Sequence, residues 1–190
     1  DYSTAEISSG LSEADEAFRV SLWAKMAKES LTEKNFEAYQ NYRSVFSNLL
    51  ETAYFSETDM VIRLFKGQSP VNSDHPVSKL ISSADSSRYQ ELANLINNNA
   101  YNEPLILSVV SYLENEDLST AYQLLVEAVD INKSSIEMRK QYVLIAIKSG
   151  LTRYAEDMLT QLKTKMPTSD FSSFETRAEE LKTTMAETAW

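Results

Sequence analysis

The chain has 190 residues, 43% of them hydrophobic, a formal net charge of −10 and a pI near 4.7, enough apolar material for one or two compact domains with a core. Three glycines and four prolines are too few for turn-rich β architecture or for glycine loops that cradle phosphate, and acids outnumber Lys and Arg by 28 to 18, which argues against nucleic-acid binding. The absence of cysteine excludes disulfides, thiolate metal sites and cysteine nucleophiles, and leans the expected compartment toward the cell envelope over the cytoplasm. No apolar run reaches the roughly 20 residues that span a bilayer, so a soluble chain without membrane insertion is expected.

In chain order, Phe18, Val20, Leu22, Trp23, Met26 and Ala27 form an apolar stripe at helical period over 11–30. A second helix fits 33–50, through Phe36, Tyr39, Tyr42, Val45, Phe46, Leu49 and Leu50. Thr32 or Asn35 can cap it, so the two helices form a hairpin. Ser56 and Asp59 resemble a capping box ahead of Met60, Val61, Leu64 and Phe65. KGQSPVNSDHP, 66–76, is the least helical stretch and marks the internal boundary. It divides an N-terminal unit, 1–66, and a linker, 67–76, from a helical unit, 77–190. Beyond it a short helix at PVSKLISSA and another through Tyr89, Leu92 and Ile96 lead to Asn97–Pro104, which breaks the pattern. Pro104 suits a first helical turn, and four helices follow at about 103–115, 118–131, 135–148 and 151–165. A last one runs from about Asp170 to the end. The β-branched residues fall at helical rather than alternating spacing, so an all-α fold is expected.

A shift of 34 residues aligns Glu103 with Glu137, Val109 with Val143, Ala121 with Ala155, Leu125 with Leu159 and Ser135 with Ser169. Each copy holds two helices, with a small alanine early in the second, where helices approach closely, and apolar residues four and seven positions later on the same face. Over 102–169 this resembles the tetratricopeptide repeat. Gly150 falls at its inter-helix turn, Ala155 and Leu159 at its packing positions, Leu162 at the next small or apolar site and Pro167 at its terminal proline; Tyr112, Ala121, Leu125 and Ala128 match in the preceding copy. The repeats are divergent. Leu105 and Arg139 replace the large aromatic early in the first helix, Val109 and Val143 the small residue opposite the alanine, Glu116 the turn glycine and Lys133 the proline. The resemblance implies a right-handed superhelix of stacked antiparallel helix pairs, an α-solenoid, here preceded by the N-terminal hairpin. One pair cannot bury both apolar faces, so pairs stack and the last needs a polar outer face, which the helix from Asp170 supplies. The pattern also resembles the C-terminal end of longer repeat proteins.

The candidate chemistry is sparse. His75, the single histidine, sits in a Ser/Asp/Pro loop and reads as solvated. Carboxylate groups at Glu13, Asp15 and Glu16, at Glu114, Glu116 and Asp117, at Glu156 and Asp157, and at Glu179 and Glu180 lie on predicted helical surfaces and read as solvent-facing. The Ser pairs 8–9, 82–83, 86–87 and 172–173 lack a base and read as caps and linkers. No catalytic residue, metal or cofactor is expected. Partner binding in the resembled family uses the face of the first helices, which by position implies Ile106, Val110 and Leu113 in one copy and Lys140, Leu144 and Ile147 in the next. That apolar line either receives a partner segment or is covered by this chain's own N-terminal helices. The expected function is a non-enzymatic protein-interaction or scaffold module; the alternative is a helical accessory domain of a larger enzyme or cell-envelope complex.

Overall fold

The computed structural model describes residues 25–45, 58–63, 66, 68, 74, 77–79, 91, 94, 102–129 and 133–188. Every regular element among them is a helix. In order these are a helical segment at 25–32, α1 (Phe36–Val45), short helical stretches at 58–63 and 77–79, then α2 (Glu103–Leu113), α3 (Leu118–Ala128), α4 (Ile136–Lys148), α5 (Thr152–Lys163) and α6 (Thr168–Thr188). The expected capping box at Ser56, the helix through Tyr89, His75 and the acids at 13–16 lie outside the described residues.

Three of the five C-terminal helices, α2, α3 and α4, begin at a side-chain cap, whereas α5 starts after Leu151 without one. Asn102 accepts from the Leu105 amide at 3.3 Å with Pro104 in the first turn of α2; Asp117 accepts from Thr120 at 3.0 Å, and Ser135 from Met138 at 3.3 Å. α6 begins at Thr168, two residues before the expected start, because the Pro167 carbonyl already accepts the first intrahelical bond from Phe171 at 2.9 Å. Of the two caps open for α1, Asn35 is the one used: its side chain accepts from the Ala38 amide at 3.1 Å.

Two turns close in the same way. At the end of α4, Leu151 donates to the Ala146 carbonyl at 2.8 Å and Gly150 to Ile147 at 2.9 Å, with Gly150 left-handed at φ 74°. After 25–32, Asn35 donates to Ser30 at 2.8 Å and Lys34 to Leu31 at 3.1 Å, with Lys34 left-handed at φ 56°. Both are Schellman closures, and glycine is the residue that adopts that backbone without penalty. Gly150→Ala meets no neighbour within 4 Å of its new Cβ, so its cost is backbone strain alone. A loss of about 1 kcal/mol in urea-unfolding free energy is expected. The turn after α2 needs no glycine. Glu116 and Asp117 both donate to the Leu113 carbonyl, at 3.0 and 2.7 Å, without a left-handed residue between α2 and α3. That explains how Glu116 stands at the position where the resembled repeat keeps a glycine.

Consecutive helices pack on one another from α2 to α6, and α4 also packs on α2 and α6. The links of three or four residues at 114–117, 149–151 and 164–167 make hairpins of α2 with α3, α4 with α5 and α5 with α6. α4 is the hub: Glu137, Met138, Arg139, Gln141 and the run Val143–Ile147 are all buried, as a helix enclosed by neighbours on every side must be. α5 is one-sided and buries Ala155, Met158, Leu159 and Leu162. Ala121 and Ala155 are fully buried in α3 and α5, where the sequence places the close helix approaches. α6 buries Phe171, Phe174 and Ala178 and leaves most of its other positions to solvent. Among the described residues, no helix is long and apolar enough to cross a membrane.

Candidate functional site

The face formed by the first helices of each pair, α2 and α4, with α6 beside them, carries the sequence-predicted residues. Ile106, Val110 and Leu113 are fully buried in one core cluster that also holds Ala27, Leu31 and Tyr39 from the N-terminal hairpin and Val61 and Ile62 from the 58–63 stretch. Leu144 and Ile147 are buried in a second cluster with α5 and with Phe171 and Phe174 of α6. Lys140 is half-buried, its ammonium 5.6 Å from the Phe174 ring centroid. The six residues therefore do not form one open apolar strip. Three lie under the N-terminal hairpin, two lie in the packing between α4, α5 and α6, and Lys140 sits against an aromatic face of α6.

The 25–34 stretch lies across this face, and polar contacts fix it at both ends. Lys28 Nζ donates to Glu103 Oε2 at 2.8 Å, at the start of α2. Lys34 Nζ donates to Glu114 Oε1 at 2.8 Å, at its end. Between them the buried Ser111 hydroxyl donates to the Leu31 carbonyl at 3.4 Å. Arg177 of α6 pairs with Glu33, and Glu29 lies within electrostatic reach of Glu137 and Lys140 on α4 and of Asp170 on α6. One helical segment thus touches or faces α2, α4 and α6 together.

The two carboxylates of α2 also tie that helix to α4. The other oxygen of Glu103 accepts from the Ser135 amide at 2.9 Å. Glu114 accepts from Lys148 at 2.8 Å and from Gln141 at 3.3 Å. Glu114 and Lys148 are 34 residues apart, so two positions related by the 34-residue shift carry opposite charges and bond directly. The expectation that Glu114 faces solvent with its neighbours is therefore corrected. Its side chain is only 7% exposed, because three donors converge on it from two other elements, whereas Glu116 is exposed. Spacing within α2 gives no warning of this, since the donors are far away in sequence.

Burial would raise the pKa of both acids, but the bonds from Lys28 and Ser135 hold Glu103, and those from Lys148 and Lys34 hold Glu114, below the ordinary value near 4.5. Glu29 moves the other way. Burial pushes it up, Lys25 opposes that, and Glu137 adds to it. A depressed carboxylate contributes stability that is complete above its unfolded pKa and is lost as pH falls through the folded value. Unfolding free energy is thus expected to drop on acidification below about 4.5, and the drop should be smaller in Glu103→Gln/Glu114→Gln when urea melts at successive pH values are compared.

Elsewhere the described surface is plain. Val126 and Tyr154 are the large hydrophobic residues exposed on α3 and α5. A shallow, acidic shelf along α6 is lined by Glu175, Thr176, Glu179, Glu180, Thr183 and Thr184. Among the described residues, no group of three or more His, Asp or Glu side chains is placed to hold a metal ion. The chain matched no family model, no curated protein and no solved structure.

Proposed function

We propose that the chain is a non-enzymatic interaction module, a divergent tetratricopeptide-like stack of helical hairpins whose working surface is the face of α2, α4 and α6. The observation that carries this reading is the placement of 25–34: a helix is already received along α2, held by Lys28–Glu103, Lys34–Glu114 and Ser111–Leu31, and paired to α6 through Glu33 and Arg177. A face with an apolar floor and acids at both ends of α2 has the make-up of a helix-accepting groove. The packing of consecutive hairpins through α4, and the largely polar outer side of α6, support a stack that ends at α6. The net charge of −10 favours basic partners over nucleic acid or anionic membrane surfaces.

The test is capture from a lysate of the source organism followed by lysine cross-linking and mass spectrometry. Cross-links from a captured protein to Lys140 or Lys148, which border the face, are expected. Cross-links confined to Lys163 and Lys165, exposed at and just past the end of α5, or no saturable partner at all, would overturn the assignment.

A further inference from the structure

Resting on that groove reading, the contacts of the resident segment define what else the groove accepts. Ala27 and Leu31, both fully buried, face the apolar floor. Lys28, next to Ala27, and Lys34, three residues past Leu31, reach Glu103 and Glu114 at 2.8 Å each. Ser111 reads the Leu31 carbonyl, which belongs to the last helical turn before the Schellman closure. The recognition pattern is Ala27-Lys28, then Leu31, then Lys34: a short apolar stripe with one lysine beside its first residue and one just past the end of the helix.

Two features mark the segment as displaceable. The side chain of its second lysine is 34% exposed, so the bond from Lys34 to Glu114 is open to exchange with water. Its outermost contact, Glu33 with Arg177, is between side chains 56% and 45% exposed, a pair of the kind worth little in water. The acids that receive the lysines behave differently. Beside the segment's lysines they are also bound by Ser135, Gln141 and Lys148. The receptor thus has contacts of its own that do not involve its occupant.

We infer that residues 25–34 are a cis-acting occupant of the groove, competing with a lysine-bearing amphipathic helix of another protein that presents the same pattern. The segment sets the apparent affinity for that partner through the fraction of molecules in which it is undocked. The charge of the site selects the partner's lysines, and a helix with acids at those positions is rejected by Glu103 and Glu114.

The probe is a fluorescent peptide of this chain's residues 25–45, titrated into the full-length protein and into a release variant, Lys28→Gln/Lys34→Gly. The glycine relieves the strained turn as it removes the contact, so the variant is expected to retain its helicity. The peptide should bind the release variant about tenfold or more tightly than wild type, and adding Glu103→Gln/Glu114→Gln should abolish the gain. Equal affinity for wild type and variant, or no binding to either, overturns the inference. So does a release variant that excludes the peptide by pairing with itself in sedimentation, since the occupant is then a second copy. If the variant loses its helicity, the wild-type chain decides. It has no cysteine, so dyes at Asn41→Cys and Glu175→Cys report the hairpin's distance from α6. Excess unlabelled peptide should increase that distance saturably, and an unchanged distance overturns the inference. A negative peptide result beside cross-links at Lys140 or Lys148 removes the cis-occupant only. Absent cross-links remove the groove itself.

Discussion

Val110→Asp is expected to abolish cooperative folding of this chain, not to weaken partner capture selectively. Val110 is fully buried in the cluster that joins α2 to Ala27, Leu31 and Tyr39. A carboxylate there either ionises without a partner, at several kcal/mol, or takes up a proton with its pKa driven upward by burial. Either route costs about 4 kcal/mol or more, a large part of the 5–15 kcal/mol that holds a typical domain together. Loss of near-UV circular dichroism and of a sigmoidal urea transition is the expected signature. Val110→Ala, which removes two methyl groups and leaves a small cavity, should keep the transition and lower its free energy by about 2 kcal/mol. If Val110→Asp unfolds with the wild-type midpoint, the N-terminal hairpin does not cover α2 in solution. The same reasoning applies to Leu144→Asp, which is 7% exposed in the second cluster. Binding experiments on this face therefore belong at its polar contacts, where a substitution can change recognition without emptying the core.

That distinction separates what was legible in the sequence from what was not. Helix positions from Glu103 onward follow from local signals that act within a turn: Pro104 and Asn102, Asp117, Ser135, Gly150. The close helix approaches at Ala121 and Ala155 follow from a small residue recurring at one spacing, because packing constrains size at that point whatever surrounds it. The face of the first helices was also legible as a place, since Ile106, Val110 and Leu113 fall on one side of a helix. Its state was not. Whether an apolar stripe is open or covered depends on a segment about 80 residues away, as in the Lys34–Glu114 contact, and helical periodicity is blind to such distances. Glu103 and Glu114 were hidden for the same reason, although Glu103 did recur 34 residues on as Glu137. A carboxylate on a helix surface looks alike in sequence whether it meets water or three donors. One signal was present and unused: at the 34-residue shift Glu114 falls on Lys148, a charge reversal that the packing of α4 on α2 turns into a bond.

The consequence of that bond can be measured. Glu114→Ala is expected to lower the unfolding free energy by about 2–3 kcal/mol. Removing one partner of a fully buried ion pair costs more, roughly 3–5 kcal/mol, but here the orphaned lysines have a way out. The Lys34 and Lys148 side chains are 34% and 30% exposed, so their ammonium groups can rehydrate by swinging outward on flexible stems. Gln141 cannot do so: it is 2% exposed, and the loss of its acceptor is the larger part of the cost. Double-mutant cycles separate the two lysines, because they serve different joints. Coupling of Glu114 with Lys148 measures the tie between α2 and α4, and should persist when the N-terminal segment is released by Lys28→Gln. Coupling of Glu114 with Lys34 measures docking of the segment, and should shrink in that background, because the two lysines act on one rigid element. Couplings of about 1 kcal/mol each are expected in the wild-type background. If the Lys34 coupling is unchanged by Lys28→Gln, the two ends of the segment dock independently. The lysine at the turn would then be a fixture of the stack, and only the end at Lys28 would be available for exchange with a partner.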